Sequence, residues 1–106
     1  MDEHEFRKHA EEALAQLRRE LILASDDYDF SIDMADGVLT IEFERPAAKF
    51  VVSPHAPARQ IWVSANSRSH KLDWDYVENA FTLRGQTLKE IIEDALAKHL
   101  GEEVTL

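Results

Sequence analysis

Asp29-Phe30-Ser31-Ile32-Asp33-Met34-Ala35-Asp36-Gly37-Val38-Leu39-Thr40-Ile41-Glu42-Phe43-Glu44 is the stretch on which the fold turns. Phe30, Ile32 and Met34 alternate with Asp29, Ser31 and Asp33. Past Asp36-Gly37, Leu39, Ile41 and Phe43 alternate with Thr40, Glu42 and Glu44. A period of two sends each set to its own side of a strand, and Asp-Gly between two such runs is a hairpin signal. The stretch therefore predicts an antiparallel ribbon, apolar toward a core and acidic away from it.

Upstream, the period changes. Phe6, Ala10, Ala13, Leu14, Leu17 and Leu21 fall on one helical stripe and predict a helix over 3–23. Asp2, with Glu5 three residues on, resembles a capping box. Ser25-Asp26-Asp27-Tyr28-Asp29 is a polar break before the ribbon. Downstream, Lys49–Ser53 reads as a third strand ended by Pro54 and Pro57, and Gln60–Ser64 as a fourth. Asn66–Ser69 is a polar turn, and two short strands follow near His70–Trp74 and Ala80–Leu83. Arg84-Gly85-Gln86 reads as a loop. Thr87-Leu88-Lys89-Glu90 is a good capping box, opening a helix to about His99. Leu88, Ile91, Ile92, Ala95 and Leu96 are its apolar stripe, Gly101 is its stop, and Val104 and Leu106 of the tail are placed to pack back.

Neither helix can bury its stripe alone. Two helices around five to six antiparallel strands predict an α+β two-layer sandwich, with both helices on one sheet face and the other face open to water. At 106 residues the chain reads as one domain, 1–106, with a modest core.

Charge is segregated along the chain. Residues 1–44 hold thirteen Asp/Glu against four Lys/Arg, whereas residues 45–106 hold eight of each, so the whole net charge of −9 lies in the first part. Crowded carboxylates repel and weaken the compact state unless a cation or basic surface offsets them. With no Lys/Arg cluster, nucleic acid and acidic membranes are poor partners. The absence of cysteine excludes disulfides, zinc–thiolate sites and cysteine-ligated iron–sulfur clusters. Met1–Ala10 is charged from its second residue, unlike a secretory signal, and no apolar run approaches the ~20 residues that span a bilayer. A cytoplasmic location is expected.

Three features bear on chemistry. Asp26, Asp27, Asp29 and Asp33 crowd one loop and the strand after it, with Glu42 and Glu44 on the partner strand, while Glu5, His9 and Glu12 share a stripe on the first helix. Oxygen donors suit hard cations, and His adds affinity for iron or zinc. There is no calcium-loop spacing and no paired Glu-x-x-His, so such a site is open and weak; the same acids also make sense as a solvated face. Trp62 is the second feature. If Ile61 and Val63 face the helices, Trp62 points outward beside Gln60 as an interface anchor; if the register is off by one, it is core. Trp74 reads as core. Third, there is no phosphate loop and no nucleophile elbow. The five histidines are scattered, and His55 and His70, which flank the Trp62 strand, read as bystanders.

Asp36-Gly37-Val38-Leu39-Thr40-Ile41 resembles the Gly-Val-Leu-Thr hairpin of the frataxin family, and Gln60-Ile61-Trp62-Val63-Ser64 its Gln-[Ile/Val]-Trp-Leu-[Ser/Ala] strand. Lys71-Leu72-Asp73-Trp74 is similar to the strand that follows, and Thr87–Leu96 to the closing helix. The likeness covers essentially the whole chain in order, and its shortness resembles the bacterial form. The resemblance implies the same sandwich and a role in iron–sulfur cluster assembly. It implies weak binding of ferrous and ferric iron on an acidic ridge, carried over by position to Glu11, Glu12, Asp26, Asp27, Asp29 and Asp33. It also implies docking on the cysteine desulfurase–scaffold complex through the ridge and the open face, with Ser53, Gln60, Trp62 and Lys71 as contacts, and a monomer without iron. The chain departs from the family at Arg18-Arg19-Glu20-Leu21-Ile22-Leu23, where acids are frequent, at Ser31, where an acid often stands, and at Ser53, often Asn. These departures move the expected iron ligands toward Asp26, Asp27, Asp29 and Asp33, with Glu5, His9 and Glu12 as a second patch.

Three functional readings remain at this point: an acidic adaptor that tunes the desulfurase, an iron carrier or weak ferroxidase, and a domain whose charge serves solubility alone.

Overall fold

The computed structural model describes residues 1–106. Helix α1 (Glu3–Ala24) is followed by β1 (Ser31–Ala35), β2 (Val38–Glu44) and β3 (Ala47–His55), then a 3₁₀ turn at Ala56–Ala58. β4 (Gln60–Ala65), β5 (Arg68–Asp75), β6 (Ala80–Leu83), β7 (Gln86–Thr87) and α2 (Leu88–Leu100) complete the chain. The seven strands form one antiparallel sheet in sequential order, β1 to β7. This is the expected α+β sandwich, with a seventh strand where a loop was read.

Both helix starts are fixed by their caps. Asp2 Oδ1 accepts from the Glu5 N–H at 2.8 Å. Thr87 and Glu90 form a reciprocal box, the Thr87 hydroxyl accepting from the Glu90 N–H and the Glu90 carboxylate accepting from the Thr87 N–H. Gly101 ends α2 in the left-handed conformation, φ +73°, where a side chain would be strained.

The core lies between the helices and one sheet face. All 23 buried residues are apolar, and no charged residue is among them. Phe6, Ala10, Leu14, Leu17 and Leu21 of α1 meet Leu39, Ile41, Val52, Ile61, Val63 and Leu72 of the central strands, while Ile91, Ile92, Ala95 and Leu96 of α2 cover the far side. Phe6 packs edge-on against Phe81, with ring centres 5.9 Å apart. Lys89 at the start of α2 holds Glu20 of α1 at 3.1 Å, and Val104 of the tail is buried.

Two expectations are corrected. β3 does not stop before Pro54; it runs to His55, with Pro54 opposite Ile61. The last β2 residue paired with β3 there is Leu39, opposite Val52, so Pro54 lies past the end of β2, where β3 is locally an edge and a missing N–H is tolerated. Trp74 is not fully core. It sits half-buried at the margin, stacked on His9 of α1 at 4.0 Å.

Candidate docking face and acidic ridge

The register that buries Ile61 and Val63 sends their neighbours to the uncovered face. There, side chains from successive strands line up in transverse rows. One row is Ser53–Trp62–Lys71, and the next is Gln60–Asp73–Thr82 with His55 at its β3 end. Ser53, Gln60, Trp62 and Lys71, far apart in sequence, thus form one continuous patch.

Trp62 is held by three neighbours. Its indole Nε1–H donates to Gln60 Oε1 at 3.0 Å, and Gln60 Nε2 in turn donates to Asp73 Oδ1 at 3.1 Å. Lys71 Nζ stands 4.7 Å from the ring centre, a cation–π distance. The His55 imidazole stacks on the indole at 3.8 Å and 15°. His55 is therefore no bystander to the Trp62 side chain. His55 and Asp73 were missed in the sequence as members of this patch. The signal was available only through register: Gln60 faces both His55 and Asp73 across its two partner strands. The result is a large, partly exposed aromatic whose orientation is fixed by its own neighbours. That lowers the ordering cost of binding.

The acids lie elsewhere and do not gather at one point. Asp26, Asp27 and Asp29 are exposed in the connection from α1 to β1, and Asp33 is exposed on β1 opposite Thr40. Glu11 and Glu12 lie on opposite flanks of α1. Glu11 lines a shallow cleft with Met34, Asp36 and Pro54, whereas Glu12 lines a groove with His9, Trp74 and Asn79. Adjacent residues on a helix stand about 100° apart, and these two line separate clefts. Glu5 and His9 share the Glu12 flank by spacing. No three His, Asp or Glu side chains converge to hold a metal ion.

What distinguishes these acids is the absence of internal partners. The molecule has two ion pairs, Glu3–Arg7 at 3.0 Å and Glu20–Lys89, and none involves Asp26, Asp27, Asp29 or Asp33. The Glu3 pKa is lowered by its hydrogen bond and charge attraction with Arg7. The loop and β1 thus present an uncompensated anionic edge beside a face anchored on Trp62, where Lys71 and Asp73 carry opposite charges. No helix is long and apolar enough to cross a membrane.

Fold and surface together define a helix-backed antiparallel sandwich with an open, aromatic-centred face and an acidic edge. Comparison with known proteins places it. A model of the frataxin-like domain family matches residues 1–102, and the chain belongs to that family. It is 33% identical over 106 residues to the iron-sulfur cluster assembly protein CyaY of Dechloromonas aromatica, spanning 100% of this chain and 99% of that one. It is 33% identical over 92 residues to the CyaY of Pseudomonas aeruginosa, spanning 83% and 84%. Among solved structures, a frataxin from Psychromonas ingrahamii superposes with a TM-score of 0.72 at 22% identity, covering 98% of this chain and 96% of that chain. That likeness speaks for the fold.

Proposed function

We propose that this protein is an accessory factor of iron–sulfur cluster assembly that docks on the cysteine desulfurase–scaffold complex and modulates its activity in an iron-dependent way. The naming of its bacterial relatives as iron-sulfur cluster assembly proteins supports the setting. The observation that carries the docking reading is Trp62. A pre-oriented indole flanked by Ser53, Gln60 and Lys71, on a face no helix covers, has the makeup of an interface hot spot.

The acidic edge steers the encounter. Asp26, Asp27, Asp29 and Asp33 carry charge that nothing internal neutralises, so a basic partner surface is attracted at a distance, and the attraction weakens with salt. Iron enters as cargo or signal. Exposed carboxylates from the same edge hold ferrous or ferric iron loosely, with Glu5, His9 and Glu12 as a second weak patch. Iron on the edge reduces its negative charge and so changes its fit to a basic partner, which couples iron level to docking. The lack of three convergent ligands favours this role over a ferroxidase, because turnover needs a defined open coordination site.

The test is the desulfurase rate with and without this protein at low and high iron, repeated with Trp62→Ala. The expected result is a modulation that depends on iron and vanishes in the variant. Equal modulation by the wild-type protein and Trp62→Ala contradicts the docking reading.

A further inference from the structure

At the end of the sheet formed by the β4–β5 and β6–β7 turns, the chain reverses its prevailing charge. A cleft of about 470 Å³ opens between that end and α2, and its rim carries Arg68, Arg84 and Lys98, with His70 on its wall. Its floor is apolar, made by Ala65, Leu83, Ile91 and Ala95. Asp94 is the one acid in the lining.

The cleft is braced on both sides. Asn66 Nδ2 donates to the Ala95 carbonyl at 3.2 Å, tying the β4–β5 turn to α2. Gln86 Nε2 donates to Asp94 Oδ2 at 2.8 Å, tying β7 to the same helix. The second bond has an electrostatic consequence. Asp94 and Lys98 are spaced four apart on α2, where an ion pair is within reach. Here an amide occupies the carboxylate, and no acid lies within 4.0 Å of Arg68, Arg84 or Lys98. Three permanent cations stand unpaired around one hollow in a molecule of net charge −9.

The turn chemistry points the same way. Arg84 and Gly85 are the two central residues between paired Leu83 and Gln86, both at positive φ, +52° and +82°. Such two-residue turns favour Asn, Asp or Gly at the first position. The β4–β5 turn follows that preference with Asn66. Arg84 takes this position against that preference, which sets its side chain at the cleft.

We propose that this cleft binds a compact polyphosphate anion, of the kind presented by pyrophosphate or by the phosphate chain of a nucleoside triphosphate. Guanidinium forks match phosphate oxygens in pairs, and the apolar floor strengthens the field between the cations and the ligand. The inference stands apart from the docking reading, since it uses none of the Trp62 patch.

Titration of the full chain with pyrophosphate or ATP, followed by amide NMR, tests it; adenosine and sulfate at matched ionic strength serve as controls. The expected result is saturable shifts confined to 65–70, 83–86 and 94–98, with adenosine and sulfate silent. Arg84→Asn is expected to weaken pyrophosphate binding roughly tenfold, the loss of one charge-assisted hydrogen bond, while thermal stability holds or rises as the turn relaxes. Asp94→Asn is expected to tighten binding by removing the one negative charge. Shifts that sulfate reproduces at equal ionic strength, or affinities the same in Arg84→Asn, Asp94→Asn and the wild type, overturn the proposal.

Discussion

Ile61 and Trp62 are consecutive residues of β4 with opposite tasks. Ile61 is fully buried against the helices, opposite Leu72. Trp62 lies on the other side of the same strand, opposite Lys71, with its ring hydrogen-bonded and stacked in place. The covered face contributes stability through burial of apolar area. The uncovered face buries less apolar area and carries the Trp62 side chain. On the proposed reading, a sheet with helices on one side separates folding from recognition across the thickness of a strand. Changes on the two faces should affect different measurements.

The largest expected effect is on the covered face. Ile61→Ala should lower the unfolding free energy by about 2–4 kcal/mol, read by urea denaturation, because the packed core cannot close over the cavity. Trp62→Ala should cost about 1 kcal/mol or less in the same experiment, the scale of a cross-strand contact. It should nevertheless cost about 2 kcal/mol or more in affinity for the desulfurase complex, mostly through faster dissociation measured by surface plasmon resonance. If Trp62→Ala unfolds the protein as Ile61→Ala does, the division between the faces is lost.

The acidic edge should show a third signature. Replacing Asp26, Asp27, Asp29 and Asp33 by Asn is expected to slow association about tenfold at low salt, flatten its salt dependence and leave dissociation nearly unchanged, by stopped-flow at two ionic strengths. Stability should rise, as repulsion between unpaired carboxylates is relieved. A smaller effect is expected from Gln60→Ala, which removes the acceptor of the Trp62 indole and the link to Asp73. It should shift and broaden the Trp62 indole NMR signal and leave the signal of Trp74, at the margin of the covered face, in place.

The smallest effect concerns Glu3. Its pKa is lowered by Arg7 in the folded state, so its contribution to stability is present above the unfolded pKa and disappears as pH falls through the folded one. On an exposed helix turn that contribution is slight. In a carboxyl NMR titration, Arg7→Gln should raise the Glu3 midpoint while the melting temperature near neutral pH barely moves.

The division between faces was legible from sequence where periodicity runs long enough. β2 has the bounds its alternation predicts, and the Thr87–Glu90 box opens α2 as read. β7 was not legible: two residues carry no period, and Gln86–Thr87 pairs only because Arg84-Gly85 turns the chain back on β6. Pro54 was misread because whether a proline ends a strand depends on where its neighbour ends, and that is a tertiary fact. The support around Trp62 was half legible. Gln60 is two residues away on the same strand, but His55 reaches the indole diagonally from β3, which only register reveals. Glu11 and Glu12, assigned to the ridge by resemblance, line two different clefts beside α1.

The most direct test of the separation is a footprint. Amide NMR of the labelled protein, on addition of unlabelled desulfurase–scaffold complex, is expected to show losses at Ser53, Gln60–Ser64 and Lys71 and along 26–33, with the outer surface of α2 unaffected. Losses concentrated on α2, with Trp62 and Lys71 unchanged, would contradict the assignment of recognition to the uncovered face.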